Sequence, residues 1–75
     1  AGGGPLQTPF GPDANGLTRA DRQELQRRLT RAGYDTGGDD GVLGPKSQAA
    51  ISGYQRDNGL AVTGIGTMAL LQRLR

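Results

Sequence analysis

Asp40-Gly41-Val42-Leu43-Gly44-Pro45-Lys46-Ser47, residues 40–47, is the stretch on which the reading of the whole chain turns. Two glycines bracket a pair of aliphatic residues. Gly44-Pro45 then puts proline at the first position of a helix, where its missing N–H costs nothing and its fixed φ suits the turn. The stretch therefore predicts a loop that enters a helix, with the helix running over 45–57 until Asn58-Gly59 stops it. Along that helix Ser47, Ala50, Ile51 and Tyr54 fall within about a quarter of the wheel and form the inward stripe. Lys46, Ala49, Gly53 and Arg56 lie opposite.

Upstream, Thr18 is a good N-cap with Asp21 three residues on, close to a capping box, and Gly33 suits the left-handed position after a helix end. A helix is predicted over 18–32. Leu25, Leu29 and Ala32 share its inner face, while Arg27, Arg28 and Arg31 point outward, and Glu24, one turn before Arg27 and Arg28, pairs with those two and is expected to titrate low. Downstream, Thr67 caps a short third helix over Met68–Arg73, with Met68, Leu71 and Leu74 as its apolar edge. No strand-like alternation of useful length is present. The fold class predicted is all-α: a small three-helix bundle with ordered, glycine-rich connecting loops. Leu25, Leu29, Ile51, Tyr54, Leu60, Leu71 and Leu74 make its core, and Tyr34, Val42, Leu43, Leu60 and Val62 plug in from the loops. Residues 1–17 hold five glycines and three of the four prolines and read as a flexible linker, leaving 18–75 as the domain.

The two halves echo each other. Leu25-Gln26-Arg27 leads to Gly33-Tyr34 and Gly41, as Tyr54-Gln55-Arg56 leads to Gly59-Leu60 and Gly64. Each glutamine follows a core residue, so each is expected to satisfy backbone groups of the loop tucked beneath its helix.

Seventy-five residues without Cys or His exclude a disulfide framework, thiolate or imidazole metal ligation, and the commonest general base. Charge is nearly balanced, nine basic residues against seven acidic. No window is long and apolar enough to cross a membrane, and the start lacks the regions of a signal peptide. Gly44-Pro45-Lys46-Ser47 is not a phosphate loop, since proline stands where the lysine must follow glycine. Asp35, Asp39 and Asp40 lack the glycine position and closing glutamate of a calcium loop. As neighbours, Asp39 and Asp40 cannot flank one bond from opposite sides as a glycosidase pair does, and read as turn formers. No catalytic residue, metal site or cofactor is expected. The arginines of helix 1 keep a second class open, a small basic helical domain binding nucleic acid or another polyanion. Against it, some nine residues separate helices 2 and 3 where a helix-turn-helix needs a tight turn.

Leu25-Gln26-Arg27-Arg28-Leu29, Gly33-Tyr34, the whole of 40–47, Ala50-Ile51, Tyr54-Gln55-Arg56, Gly59-Leu60 and Thr63-Gly64, taken in order, resemble the peptidoglycan-binding-domain-like module over residues 20–74. Ser47 stands for the usual Thr, Tyr54 for Phe, and Thr63 for an Asp common before the glycine. The stretches 1–6 and 17–20 further resemble the junction before the C-terminal module of lytic murein transglycosylases of the B type. The resemblance implies a non-catalytic, monomeric module that holds bacterial peptidoglycan, by glycan or stem peptide, in the periplasm or cell envelope, and that anchors the catalytic domain of a parent lytic transglycosylase. It implies no nucleic-acid partner. With such a ligand, the start of helix 2 is the expected groove. The N–H groups after Gly44 and the Lys46 ammonium would receive a stem-peptide carboxylate, Asp39 and Asp40 an ammonium, and the small Ala49 and Gly53, with Arg56 beyond, would let the ligand approach the helix.

Overall fold

The computed structural model describes residues 12–75. Three helices are present, α1 (Arg19–Arg31), α2 (Pro45–Asp57) and α3 (Met68–Leu74), and among the described residues there is no strand. α1 is the shared partner: α2 and α3 each pack on it. Their ends follow local chemistry. Thr18 accepts from the Asp21 N–H while the Asp21 carboxylate accepts from the Thr18 N–H, a complete capping box. Gly33 takes a φ of 100°, a conformation that a side chain would strain. Pro45 opens α2, and Thr67 caps α3 through the Leu70 N–H.

Leu17, Leu25, Leu29, Ala50, Ile51, Leu70 and Leu71 form the buried core, with Tyr34, Leu43, Tyr54, Leu60, Met68 and Leu74 packed against it. Tyr34 and Tyr54 meet edge to face, ring centres 5.8 Å apart. Three expectations change. Ala32 is exposed, because it is the C-cap of α1 rather than part of its inner face. Val42 and Val62 do not plug in: they are 65% and 55% exposed. Val42 lies between Gly41, which is buried, and Leu43, which packs on the core, and its own N–H and carbonyl are held by Asp40 and Gln26 while its side chain stays exposed. In the second loop Leu60 alone supplies the apolar plug.

The residues just before α1 pack against it. Asp13 folds the chain into a turn, its carboxylate accepting from the Asn15 and Leu17 N–H groups, and Leu17 is fully buried. Arg22 of α1 holds this turn, donating to the Asp13 carboxylate at 3.0 Å and the Leu17 carbonyl at 3.0 Å, and its Nε reaches the Gly41 carbonyl at 2.6 Å. One arginine thus joins three segments. Residues 1–11 of the expected linker lie outside the described residues.

The two glutamines hold the loops. Gln26, 1% exposed, accepts from the Gly41 N–H through Oε1 and donates through Nε2 to the Val42 carbonyl and the Ser47 hydroxyl, with Asp40 Oδ1 at 3.4 Å. Gln55 accepts from the Thr63 and Gly64 N–H groups and donates to Thr63 Oγ1. Beyond each clamp the local geometry repeats: Asp40 Oδ1 accepts from the Val42 N–H, and Thr63 Oγ1 accepts from the Ile65 N–H. Gly41 and Gly64 both take positive φ, at 83° and 69°. Thr63 therefore does with a hydroxyl what Asp40 does with a carboxylate.

α3 is tied to α1 by charge. Glu24 receives two hydrogen bonds from Arg75, at 2.9 and 3.0 Å, and one from Arg28 at 2.7 Å, so its partners are Arg28 and Arg75 rather than the expected Arg27. Arg27 turns to Asp39 instead. Hydrogen bonds from Arg75 first and Arg28 second lower the Glu24 carboxyl from its ordinary 4.5 to about 2.

Two outcomes follow. Gln55→Ala leaves two loop N–H groups without their acceptor, and at about 1–3 kcal/mol for an unsatisfied group should lower the melting temperature by roughly 4–8 °C per kcal/mol lost. A melting temperature unchanged within error would show that the clamp is dispensable. Because the folded-state value for Glu24 is depressed, its contribution is present above about 4.5 and is lost as pH falls toward 2. Arg75→Ala should raise the Glu24 carboxyl value in an NMR titration and flatten this acid-side loss of stability.

Candidate ligand-binding cleft

A hollow of about 710 Å³ opens beside the first two turns of α2. Gln48, Ala49 and Ser52 form one wall, and residues 63–66 form the facing wall. Asp13 and Arg22, bonded to each other, border a third side. Sequence and structure connect directly here. The Gln55 clamp fixes Thr63 and Gly64, and Gly64 approaches α2 so closely that a Cβ there would lie 3.0 Å from Ser52 Oγ. A Cβ on Gly66 would sit 2.8 Å from both Leu25 and Leu43, so only glycine lets this loop settle on the core and leave Ile65 at the rim, 49% exposed. Across the cleft, Gln48 steadies its own wall by donating to the Leu43 carbonyl.

The electrostatics are quiet. Burial raises the Asp13 carboxyl, but the N–H bonds from Leu17 and Asn15 and the Arg22 guanidinium outweigh it and leave a net lowering. The charges of Asp13 and Arg22 are thus spent on each other. A smaller hollow of about 250 Å³ adjoins the cleft at Pro45 and is bordered by Asp40, Gly44 and Lys46. Lys46 lies 3.4 Å from the Asp35 carboxylate, with both side chains largely exposed.

The structure divides the residues singled out from sequence. Ala49 lies in the cleft, and Asp40, Gly44 and Lys46 lie in the adjoining hollow. Asp39 is directed to Arg27, at a separate depression beside Thr30 and Arg31. Gly53 does not face outward. It is buried, because Tyr34 folds over α2 and a Cβ at Gly53 would meet the ring at 3.4–3.5 Å. Arg56 is exposed on that side, remote from the cleft lining, with its guanidinium near Gly53. Sequence reasoning missed Asp13, Arg22, Thr63 and Ile65. The signal for the last two was the echo itself, since Gly64-Ile65-Gly66-Thr67 repeats the approach to a helix made by Gly41-Val42-Leu43-Gly44.

Asp35, Asp39 and Asp40 do not converge: Asp35 accepts from the Gly37 N–H and pairs with Lys46, Asp39 pairs with Arg27, and Asp40 accepts from the Val42 N–H. Among the described residues no group of three or more acidic side chains is placed to hold a metal ion, and no helix is long and apolar enough to cross a membrane.

Gly53→Leu should destabilise the domain by about 1–3 kcal/mol in thermal denaturation, as overpacking does. The new side chain must displace Tyr34 and break the 2.7 Å bond from its hydroxyl to Asp57. Parental stability for that variant would contradict the placement of Tyr34.

Comparison with known proteins agrees with this architecture. Residues 18–74 match the family described as "Putative peptidoglycan binding domain". SltB3 from Pseudomonas aeruginosa, crystallised in complex with NAG-NAM-pentapeptide, aligns with all of this chain at a TM-score of 0.77 and 40% identity. Its complex with NAG-anhNAM-pentapeptide gives 0.76 and 39%. In each case the chain covers 18% of SltB3. The localization factor PodJL of Caulobacter vibrioides is 47% identical over 49 residues, 65% of this chain and 5% of PodJL. The chain thus spans less than a fifth of either relative's length. It belongs to the peptidoglycan binding domain family.

Proposed function

We propose that this member of the peptidoglycan-binding family is a non-catalytic module that holds peptidoglycan and anchors a linked lytic transglycosylase domain to murein in the periplasm or cell envelope. The observation that carries the reading is the likeness to SltB3 over the whole chain at 40% identity, together with a family match over 18–74. The physics of the chain is compatible with it. Its carboxylates are engaged by arginine, lysine, backbone N–H groups or, at Asp57, the Tyr34 hydroxyl, and Asp13, Glu24, Asp35 and Asp40 are all held below their ordinary values, whereas a general acid needs a raised one. A tether of even low affinity helps an enzyme on an insoluble polymer by raising the local concentration of substrate. The module is proposed to act as a monomer, with the catalytic domain of its parent chain and the wall polymer as its partners.

Within this reading the ligand lies along the cleft and the adjoining hollow, with Ala49 in the first and Asp40, Gly44 and Lys46 in the second. Lys46 would meet a stem-peptide carboxylate and Asp40 an ammonium. Asp39, Gly53 and Arg56 are less suited to contact it, since each is engaged or placed elsewhere. The polyanion reading is less favoured, because three arginines of α1, Arg22, Arg27 and Arg28, are paired with acidic side chains, which leaves Arg19 and Arg31 on that helix without such a pair among the described residues.

Purified chain should sediment with sacculi and show no clearing of purified peptidoglycan in a turbidity assay. Retention should survive salt that strips the chain from heparin or DNA. Lys46→Glu should weaken retention with little change in melting temperature. Failure of the folded parent to sediment with sacculi would overturn the proposed function, as would lysis by the chain alone.

A further inference from the structure

The stretch expected to be a linker ends in a turn that closes on itself. The Asp13 carboxylate accepts from the Asn15 and Leu17 N–H groups and from Arg22, the Asp13 N–H donates to the Leu17 carbonyl at 2.7 Å, and the Asp13 carbonyl accepts from the Gly16 N–H. Both backbone groups and both carboxylate oxygens of one residue are used. Gly16 takes a φ of 82°, where a side chain would be strained, so the reversal depends on glycine. Residues 13–17 therefore form a strap with a shape of its own.

The strap is fastened to three elements. Leu17 is fully buried in the core, Arg22 of α1 grips both the Asp13 carboxylate and the Leu17 carbonyl, and the Met68 N–H at the start of α3 donates to the Asn15 carbonyl at 3.4 Å. Through its Nε the same arginine holds Gly41. The family match begins only at residue 18, whereas the alignment with SltB3 takes in the whole chain. The strap thus lies outside the part that defines the family.

We infer that residues 13–17 are a latched joint, with Asp13 as the latch, that fixes where and in which direction the preceding chain enters the module. A flexible tether lets whatever it carries wander around the module, whereas a fastened one confines it to one side. Here that side is where Asp13 and Asn15 border the cleft and Asn15 meets the start of α3. With the latch open, the strap joins the tether and adds about 17 Å of reach at ~3.4 Å per extended residue. The joint is a matter of geometry, so it goes beyond the proposed function and stands whether or not the module holds peptidoglycan.

The test uses the intact, 15N-labelled 75-residue chain, whose lack of Cys allows a single nitroxide to be attached through Pro12→Cys, an exposed position next to the latch. The label should broaden the amide signals of residues 66–69 most and those around Gly33, beyond the far end of α1, least. In the unlabelled parent, the amides of residues 13–17 should show the same heteronuclear NOE values as the helices. Asp13→Ala should lower those values for the strap and erase the gradient of broadening, while the helix signals stay dispersed. Asp13→Asn keeps an acceptor for the turn but loses the charge that Arg22 meets, so it should loosen the strap to a lesser degree on a domain that stays folded. A parent strap that moves independently of the helices would overturn the inference, and so would a folded Asp13→Ala chain that keeps both the NOE values and the gradient. If Asp13→Ala unfolds, Asp13→Asn decides: a loosened strap supports the latch, and an unchanged one overturns it.

Discussion

A glutamine carboxamide buried under each of the two long helices is the constraint on which the rest of this domain depends. Two loops of irregular backbone must lie against the helices to complete a core that seven side chains cannot complete alone. A loop in that position loses water from its amide groups and must find replacements. Gln26 and Gln55 supply them, each with one acceptor and one donor group, and both sit beside a core residue, Leu25 and Tyr54. No buried side-chain polar atom among the described residues lacks a partner, which is what makes such polar burial tolerable in so small a fold.

The cleft is a consequence of this arrangement. Gln55 fixes Thr63 and Gly64, the neighbouring glycines press the loop onto α2 and the core, and Ile65 is left at the rim opposite Ala49. On the third side Arg22 binds the Asp13 turn to α1 and to Gly41, linking the N-terminal strap to the first clamped loop. The cleft is therefore assembled from loops that are stiffened by single side chains.

Much of the fold was legible in the sequence because its signals are local. Proline at the start of α2, threonine caps on α1 and α3, and glycine after α1 each act within a few residues, and the echo around the two glutamines marked the clamps. What was not legible depends on contacts distant in sequence. Leu17 follows a proline- and glycine-rich stretch and joins the core where Asp13 and Arg22 hold its backbone. Arg75 finds Glu24 across 51 residues. Gly53 falls on the outer side of the helical wheel, and no periodicity within α2 could show that Tyr34, from the preceding loop, would cover it. The candidate site was legible to the same extent: the residues at the start of α2 adjoin the cleft, while its far wall comes from a loop whose position only the fold determines.

Hydrogen exchange at the amides of Gly41, Thr63 and Gly64 tests the central claim most directly, since each donates to a buried glutamine rather than to a regular ladder. If the clamps hold the loops as part of the cooperative core, these three loop amides should exchange as slowly as the amides of Leu29 and Ile51 within the helices, through opening of the whole domain. Exchange at the rate of an unprotected loop, with the helices still protected, would contradict the account.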